Sequence, residues 1–98
     1  YENNLLITAD GNTLIGGIGK LTSVTIPDDI ITIEEYAFHG SELNNVTIPE
    51  SVMMIKFFAF DQNNINSINI YGDERRFNEI WSYTGFPIDL KPKKWNIF

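Results

Sequence analysis

LTSVTIPDDIITIEEYAFHGSE, residues 21–42, is followed directly by LNNVTIPESVMMIKFFAFDQNN, residues 43–64, and the two stretches carry the same residue at 8 of 22 positions. Unrelated stretches of average composition would match at roughly one position. The shared residues are mostly apolar, with one Thr and one Pro, so the repeat describes a stacked core rather than a set of reactive groups. The sequence therefore predicts a repeat protein, and we call each 22-residue unit a rung.

Each rung opens with an alternation of apolar and polar residues. Val24 and Ile26 alternate with polar neighbours, and the pattern returns at positions 45–48 and 67–70. Such a period of two is typical of a half-buried strand. A proline follows the first two alternations directly, and each strand is expected to end there, because proline has no amide hydrogen for a ladder bond. We therefore predict one parallel strand per 22-residue rung, followed by a tight helical or extended turn.

A shift of 22 residues places like side chains in columns. The columns are Leu21, Leu43 and Ile65; Val24, Val46 and Ile68; and Ile26, Ile48 and Ile70. Rungs stacked about 4.8 Å apart would bury these columns and pair the strands in parallel. Each large aliphatic side chain would contribute roughly 1.5–3 kcal/mol before the entropy of ordering is subtracted. The Ala-Phe pairs at positions 37–38 and 59–60 are expected to fill the interior of their rungs.

Both ends are predicted to cover the stack, because an open edge strand and a bare apolar face invite association. Upstream, residues 1–20 are typical of a hairpin with Asp10 and Gly11 in its turn. Downstream, residues 71–98 are typical of a cap whose short helix begins at Asp73 and whose apolar tail docks on the last rung. With 98 residues, 43% of them hydrophobic, the whole chain is expected to form one domain.

Composition excludes several classes of partner. The chain carries 13 acidic and 7 basic residues, a net charge of −6, and has no cysteine. No basic stripe is present, so nucleic acid and anionic membrane surfaces are poor partners, and no apolar run reaches membrane-spanning length. The missing cysteines exclude disulfides, thiolate metal sites and a cysteine nucleophile. The start at Tyr1 suggests an excised segment of a longer protein.

The sequence offers no catalytic, cofactor-binding or metal-binding constellation. The single histidine, His39, lacks the motif context of a nucleophile and an orienting acid, so we interpret it as a solvated loop residue. Asp28 and Glu50 share a repeat position. Two carboxylates side by side on one surface lack the opposed geometry of a glycosidase. The chain is therefore predicted not to be an enzyme and to hold no cofactor.

The rungs resemble the BspA-like branch of the leucine-rich-repeat family of bacterial surface proteins, whose units read approximately L-x-x-V-x-I-P-x-x-V-x-x-I-x-x-x-A-F. The match is close over residues 21–70, and the segment upstream resembles the hairpin insertion that such proteins place before a repeat block. The resemblance implies a mainly β or α/β solenoid. It would be a short right-handed superhelix with an N-terminal hairpin cap and a C-terminal cap that contains a helix.

Two departures from the family pattern carry structural expectations. The glycine usual after the second isoleucine is replaced by Glu34 and Lys56, which predicts a salt bridge between neighbouring rungs. The cysteine often found after the Ala-Phe pair is replaced by Ser41 and Asn63. The second departure removes a buried column, so looser packing is expected at that corner of the rungs.

The resemblance also implies a function, because leucine-rich-repeat proteins usually bind through the outward face of their strands. It implies a noncatalytic protein- or glycan-binding module of a secreted or cell-surface bacterial protein, acting in adhesion or host interaction outside the cell. The predicted interaction face consists of Ser23, Thr25, Asp28, Asn45, Thr47, Glu50, Ser67, Asn69 and Tyr71. This face is small, polar and mildly acidic, with Tyr71 as its one aromatic anchor, so a structural spacer without a ligand is the competing interpretation.

Overall fold

The structure, a computed structural model, describes residues 4–19, 21–61, 63 and 65–71. Within these ranges the regular elements are strands, and no helix occurs. The strands are β1 (Leu5–Ile7), β2 (Thr13–Gly17), β3 (Ser23–Thr25), β4 (Thr32–Ile33), β5 (Asn45–Ile48), β6 (Met54–Ile55) and β7 (Ser67–Ile70). They form two sheets. We call the sheet β3-β5-β7 the front sheet and the sheet β1-β2-β4-β6 the back sheet.

The front sheet contains the strands that the alternating pattern predicts. Its three strands are parallel, and equivalent residues of successive rungs lie side by side. Val24 pairs with Val46, and Val46 pairs with Ile68. The predicted columns and their register of 22 residues are therefore confirmed, because a slip by one residue would have turned the opposite face of each strand inward.

The prediction of one strand per rung is wrong, because each full rung contributes a second, two-residue strand to the back sheet. Thr32 pairs with Met54 and Ile33 with Ile55, both in parallel. Backbone groups on the far side of a rung need partners as much as those on the near side, and a neighbouring rung supplies them. The amides of Met53 and Met54 both donate to the carbonyl of Ile31. The extended alternative for this turn is therefore the one that the chain adopts.

The predicted N-terminal hairpin is confirmed, and it belongs to the back sheet. β1 pairs antiparallel with β2, and β2 pairs parallel with β4. In the turn, the Asp10 carboxylate accepts hydrogen bonds from the Thr8 hydroxyl at 2.6 Å and from the Asn12 amide at 2.9 Å. These bonds favour the ionised form and hold the pKa of Asp10 below its usual value. Gly11, at φ +80°, has the left-handed backbone that this turn requires.

The core lies between the two sheets and is built from the repeated apolar columns. The fully or almost fully buried members are Leu5, Leu14, Val24, Ile26, Ile30, Ile33, Phe38, Leu43, Val46, Ile48, Val52, Ile55, Ala59, Phe60, Ile65 and Ile70. The rings of Phe38 and Phe60 stack with centroids 5.2 Å apart. The predicted filling of the rung interior by these two rings is therefore confirmed. Gly17 lets β2 approach this layer, because an added Cβ would meet Leu21 and Phe38 at 3.0 Å.

At the Ser41–Asn63 corner, where looser packing is expected, the Asn63 side chain ties two rungs together by hydrogen bonds. Its amide nitrogen lies 2.7 Å from the Phe38 carbonyl oxygen of the first rung and 2.9 Å from that of Phe60. Its amide oxygen accepts from the Leu43 amide at 2.8 Å. Because the Asn63 side chain carries both donors and an acceptor, it joins the two rungs at this corner through hydrogen bonds to backbone groups of buried residues.

The predicted salt bridge between neighbouring rungs is confirmed. Lys56 Nζ lies 2.7 Å from Glu34 Oε1. The hydrogen bond and the charge of Glu34 raise the pKa of Lys56. Both side chains remain partly exposed, at 43% for Lys56 and 35% for Glu34, so the pair contributes little to stability.

The predicted C-terminal cap, including the helix from Asp73, lies outside the described residues. In the part of the chain that the structure describes, no helix has the length and apolar character to cross a bilayer.

Candidate functional site

The predicted interaction residues lie on and just beyond the outward face of the front sheet. Parallel pairing sets them in two columns, which are Ser23, Asn45 and Ser67, and Thr25, Thr47 and Asn69. The alternation within each strand turns these side chains away from the core, and all are exposed except Thr47, which is half-buried. The Asn45 side-chain amide donates to the Ser23 hydroxyl at 3.3 Å. The structure thus brings six of the nine predicted residues onto one polar surface.

The remaining three lie past the carboxyl ends of the strands, beside a cleft of about 740 Å³. We call it the front cleft. Its lining consists of Thr25, Ile26, Asp28, Thr47, Pro49, Glu50, Ser51 and Tyr71. The turns that begin at the rung prolines place Asp28 and Glu50, which share a repeat position, along this cleft, while the next rung supplies Tyr71. The cleft therefore combines two carboxylates, an aromatic ring and two threonine hydroxyls around a floor that includes Ile26.

One polar group in the front cleft has a structural role. The Ser51 hydroxyl donates to the Ile30 carbonyl of the preceding rung at 2.8 Å, so this hydroxyl joins the rungs. Carboxylate oxygens can accept hydrogen bonds from hydroxyl or ammonium groups, and the threonine hydroxyls can donate or accept. The chemistry of the cleft suits a polyhydroxylated or cationic ligand.

His39 lies away from the front cleft, at the corner where the rungs turn back. Its Nε2 is 3.8 Å from Asp61 Oδ2, at the equivalent position of the next rung, and its ring meets Tyr36 edge-on at 5.5 Å. The side chains of His39 and Asp61 are 45% and 36% exposed. Among the described residues, no three His, Asp or Glu side chains come together in a way that could hold a metal ion.

Several large apolar side chains of the described residues are exposed, a feature that the sequence-based expectations did not include. They are Leu6, Ile15, Ile18, Ile31, Tyr36, Met53, Met54, Phe57 and Phe58. We call Tyr36, Phe57 and Phe58 the aromatic corner. Their rings lie in sequence, 5.7 Å between Tyr36 and Phe58 and 6.3 Å between Phe58 and Phe57. The signal was present in the sequence, because paired apolar residues in an extended rung cannot all face inward.

The aromatic corner has an unusual backbone. Tyr36 and Phe58, at equivalent positions, have φ of 58° and 54°, a region that costs a bulky residue about 1–2 kcal/mol. The Tyr36 amide donates to the Phe57 carbonyl at 3.2 Å. The stacking of rungs therefore holds both aromatic residues in a conformation that turns their rings toward solvent.

The profile of the BspA type leucine rich repeat region (6 copies) matches residues 13–84. The chain belongs to the BspA-type leucine-rich-repeat family. This confirms the resemblance seen in the rungs. No curated protein and no solved structure matches the chain significantly.

The extent of the BspA-type match agrees with the pairing of the strands. The match begins at residue 13, the first residue of β2, and β2 pairs in parallel with β4 as the back strands of the rungs pair with each other. The second strand of the hairpin therefore behaves as the back strand of a BspA-type rung. No described strand of the front sheet belongs to the same rung as β2.

Proposed function

We propose that this chain is a noncatalytic binding module that recognises a protein or a glycan through the outward face of the front sheet and the front cleft. The observation that supports the proposal most strongly is that the outward face of the front sheet and the front cleft are continuous. Thr25 and Thr47 belong both to the outward columns and to the cleft lining. A ligand lying across the strands can therefore reach Asp28, Glu50 and Tyr71 without leaving the surface.

The family supports the remainder of the proposal. BspA-type repeats imply a surface or secreted bacterial protein, so we place the module outside the cell, in adhesion or host interaction. We further propose that its rungs form a short right-handed solenoid, the hand that parallel crossover connections almost always adopt. The acidic net charge of −6 agrees with a partner that is neither nucleic acid nor an anionic membrane.

The test compares matched variants of the two sheets. Thr47→Glu places a bulky charge in the middle of the front face, whereas Thr32→Glu makes the same change at an outward position of the back sheet. Labelled wild-type protein and both variants are applied to a glycan array and to immobilised host extracellular proteins. Binding that survives Thr32→Glu and is lost in Thr47→Glu agrees with the proposal. If the wild-type chain binds nothing, the result supports the interpretation of the chain as a structural spacer. Equal loss of binding in both variants would contradict the proposal that the ligand binds the outward face of the front sheet.

The aromatic corner is a second candidate binding surface, supported by its exposure. Tyr36 is 53% exposed and Phe57 is 52% exposed, and exposed aromatic residues are enriched where proteins bind one another. Phe58→Ser would abolish binding through this corner and leave binding through the front face unchanged. The same glycan array and immobilised proteins therefore distinguish binding through the aromatic corner from binding through the outward face of the front sheet.

A further inference from the structure

The two sheets end at different levels at the N-terminal side of the stack. In the part of the chain that the structure describes, the back sheet continues beyond β4 with β2 and β1, whereas the front sheet has no strand beyond β3. Among these residues the hairpin covers the first rung on the back side only. We call the position beside β3, where a further strand would pair at the usual spacing of about 4.8 Å, the step.

The backbone of β3 presents hydrogen-bonding groups to this step. The Thr22 carbonyl accepts from Asn44 and Asn45, and the Ile26 amide donates to Thr47. Alternate residues of a strand in a parallel pair point their backbone groups to opposite sides. The amide and carbonyl groups of Ser23 and Thr25 therefore point away from β5, and no hydrogen bond to them from another described residue is present.

A groove adjoins this edge at the carboxyl end of β3. It has a volume of about 440 Å³ and runs between the hairpin and the end of β3. Its lining includes Ile7 and Gly11 of the hairpin and Thr25, Asp28 and Asp29 at the end of β3. The groove thus offers one apolar side chain and two carboxylates to the alternate side chains of an added strand.

We propose that the open edge of β3 is a strand-addition site for an extended, basic peptide segment of a partner protein. Strand addition uses main-chain hydrogen bonds for affinity and alternate side chains for specificity. The apolar side chains of the peptide face Ile7, and its Lys or Arg side chains face Asp28 and Asp29. Among the described residues the only lysine or arginine is Lys56, which is paired with Glu34 on the back side, so no described base neutralises Asp28 and Asp29.

A second copy of this chain suits the edge less well. Two copies meeting at β3 would bring together two molecules that each carry a net charge of −6, and like charges oppose association. The proposed site shares Thr25 and Asp28 with the front cleft. Its main-chain hydrogen bonds involve the edge of β3 only, so the amide signals of β3 distinguish it from binding across the outward face of the front sheet.

The test uses a synthetic peptide that alternates Val and Lys, blocked at both ends, and the same peptide with Glu in place of Lys. Amide NMR signals and hydrogen exchange are recorded for the protein with and without peptide. The Lys peptide should shift the amide signals of Ser23 and Thr25 and slow their exchange by about tenfold or more. The Glu peptide should bind roughly tenfold more weakly, because it loses the attraction of Asp28 and Asp29.

Variants at one position separate backbone from side chain. Thr25→Pro removes an outward amide at an edge, where proline is tolerated, and should abolish peptide binding, whereas Thr25→Val should leave it unchanged. If Thr25→Pro fails to fold, the hydrogen exchange of the Ser23 and Thr25 amides in the wild-type protein, with and without peptide, tests the proposal by itself. The proposal is overturned if these amides are already protected in the free monomer or in a self-associated form. It is also overturned if the peptide shifts Thr47 and Asn69 instead, as front-face binding would.

Discussion

Replacing Asn63 by alanine tests how the rungs are joined. The Asn63 side chain spans two rungs through bonds to the Phe38, Phe60 and Asp61 carbonyls and from the Leu43 amide, all between 2.7 and 3.1 Å. Alanine removes all four contacts at once. Leu43 is fully buried, so its amide loses a partner in a place that water reaches poorly.

The magnitude follows from these contacts. A buried amide without an acceptor costs about 1–3 kcal/mol, and each other lost bond removes about 0.5–1.5 kcal/mol. The Phe38 carbonyl keeps a second donor, the Ser41 amide, which reduces the loss. We expect Asn63→Ala to lower the free energy of unfolding by about 2–4 kcal/mol, from a total of about 5–15 kcal/mol for a chain of this size.

Urea unfolding followed by circular dichroism measures this change. Ser41→Ala is the matched control, because Ser41 occupies the equivalent position one rung earlier and its hydroxyl makes no hydrogen bond with another described residue. The control should change stability by no more than about 0.5 kcal/mol. Asn63→Asp retains the acceptor but places a negative charge beside carbonyl oxygens, so it should be at least as damaging as alanine. An Asn63→Ala variant as stable as Ser41→Ala would refute the reasoning.

Three further predictions concern the core, the aromatic corner and the salt bridge. Ile48→Asp should abolish cooperative folding, because it puts an unpaired charge into the fully buried central column. Phe60→Ala should cost about 3–5 kcal/mol, whereas Phe58→Gly should change stability by less than about 1 kcal/mol, because relief of the left-handed backbone offsets the lost ring contact. Raising the pH above the usual pKa of lysine should remove the stabilisation that Glu34 gives Lys56.

Each of these predictions has its own check. Thermal melts by circular dichroism follow the first two, and a folded Ile48→Asp variant with an unchanged melting temperature would contradict the burial of its column. Equal losses for Phe58→Gly and Phe60→Ala would contradict the assignment of one ring to solvent and the other to the core. For the salt bridge, the raised pKa of Lys56 means that its contribution is complete at lower pH and lost at higher pH. Because the pair is partly exposed, this loss should be small, and Glu34→Gln should remove it. A large alkaline loss of stability that Glu34→Gln abolishes would contradict the exposed placement of the pair.

Much of the fold is predictable from the sequence because the repeat carries it. The columns through Val24 and Val46 follow from identical residues at a fixed shift, and the register of the front sheet follows from the columns. Asp10 and Gly11 predict the hairpin because few sequences suit its turn. The Glu34–Lys56 pair is predictable because opposite charges occupy one repeat position.

The remainder depends on relations between rungs that no single stretch of sequence displays. The two-residue strands β4 and β6 are too short to carry a period of their own. The role of Asn63 arises because stacking brings the Phe38 carbonyl of another rung within 2.7 Å of its amide nitrogen. For the candidate site, alternation predicts the front face, but the open edge of β3 depends on which sheet the hairpin joins.

The stacking of 22-residue rungs in register is the central claim, and NOE measurements between methyl groups test it most directly. With valine and isoleucine methyl groups labelled, we predict contacts from Val24 to Val46 and from Val46 to Ile68, as the pairing of β3, β5 and β7 requires. The neighbouring column should give contacts from Ile26 to Ile48 in the same way. Contacts from Val24 to Ile48 without any to Val46 would show a shifted register and contradict the account.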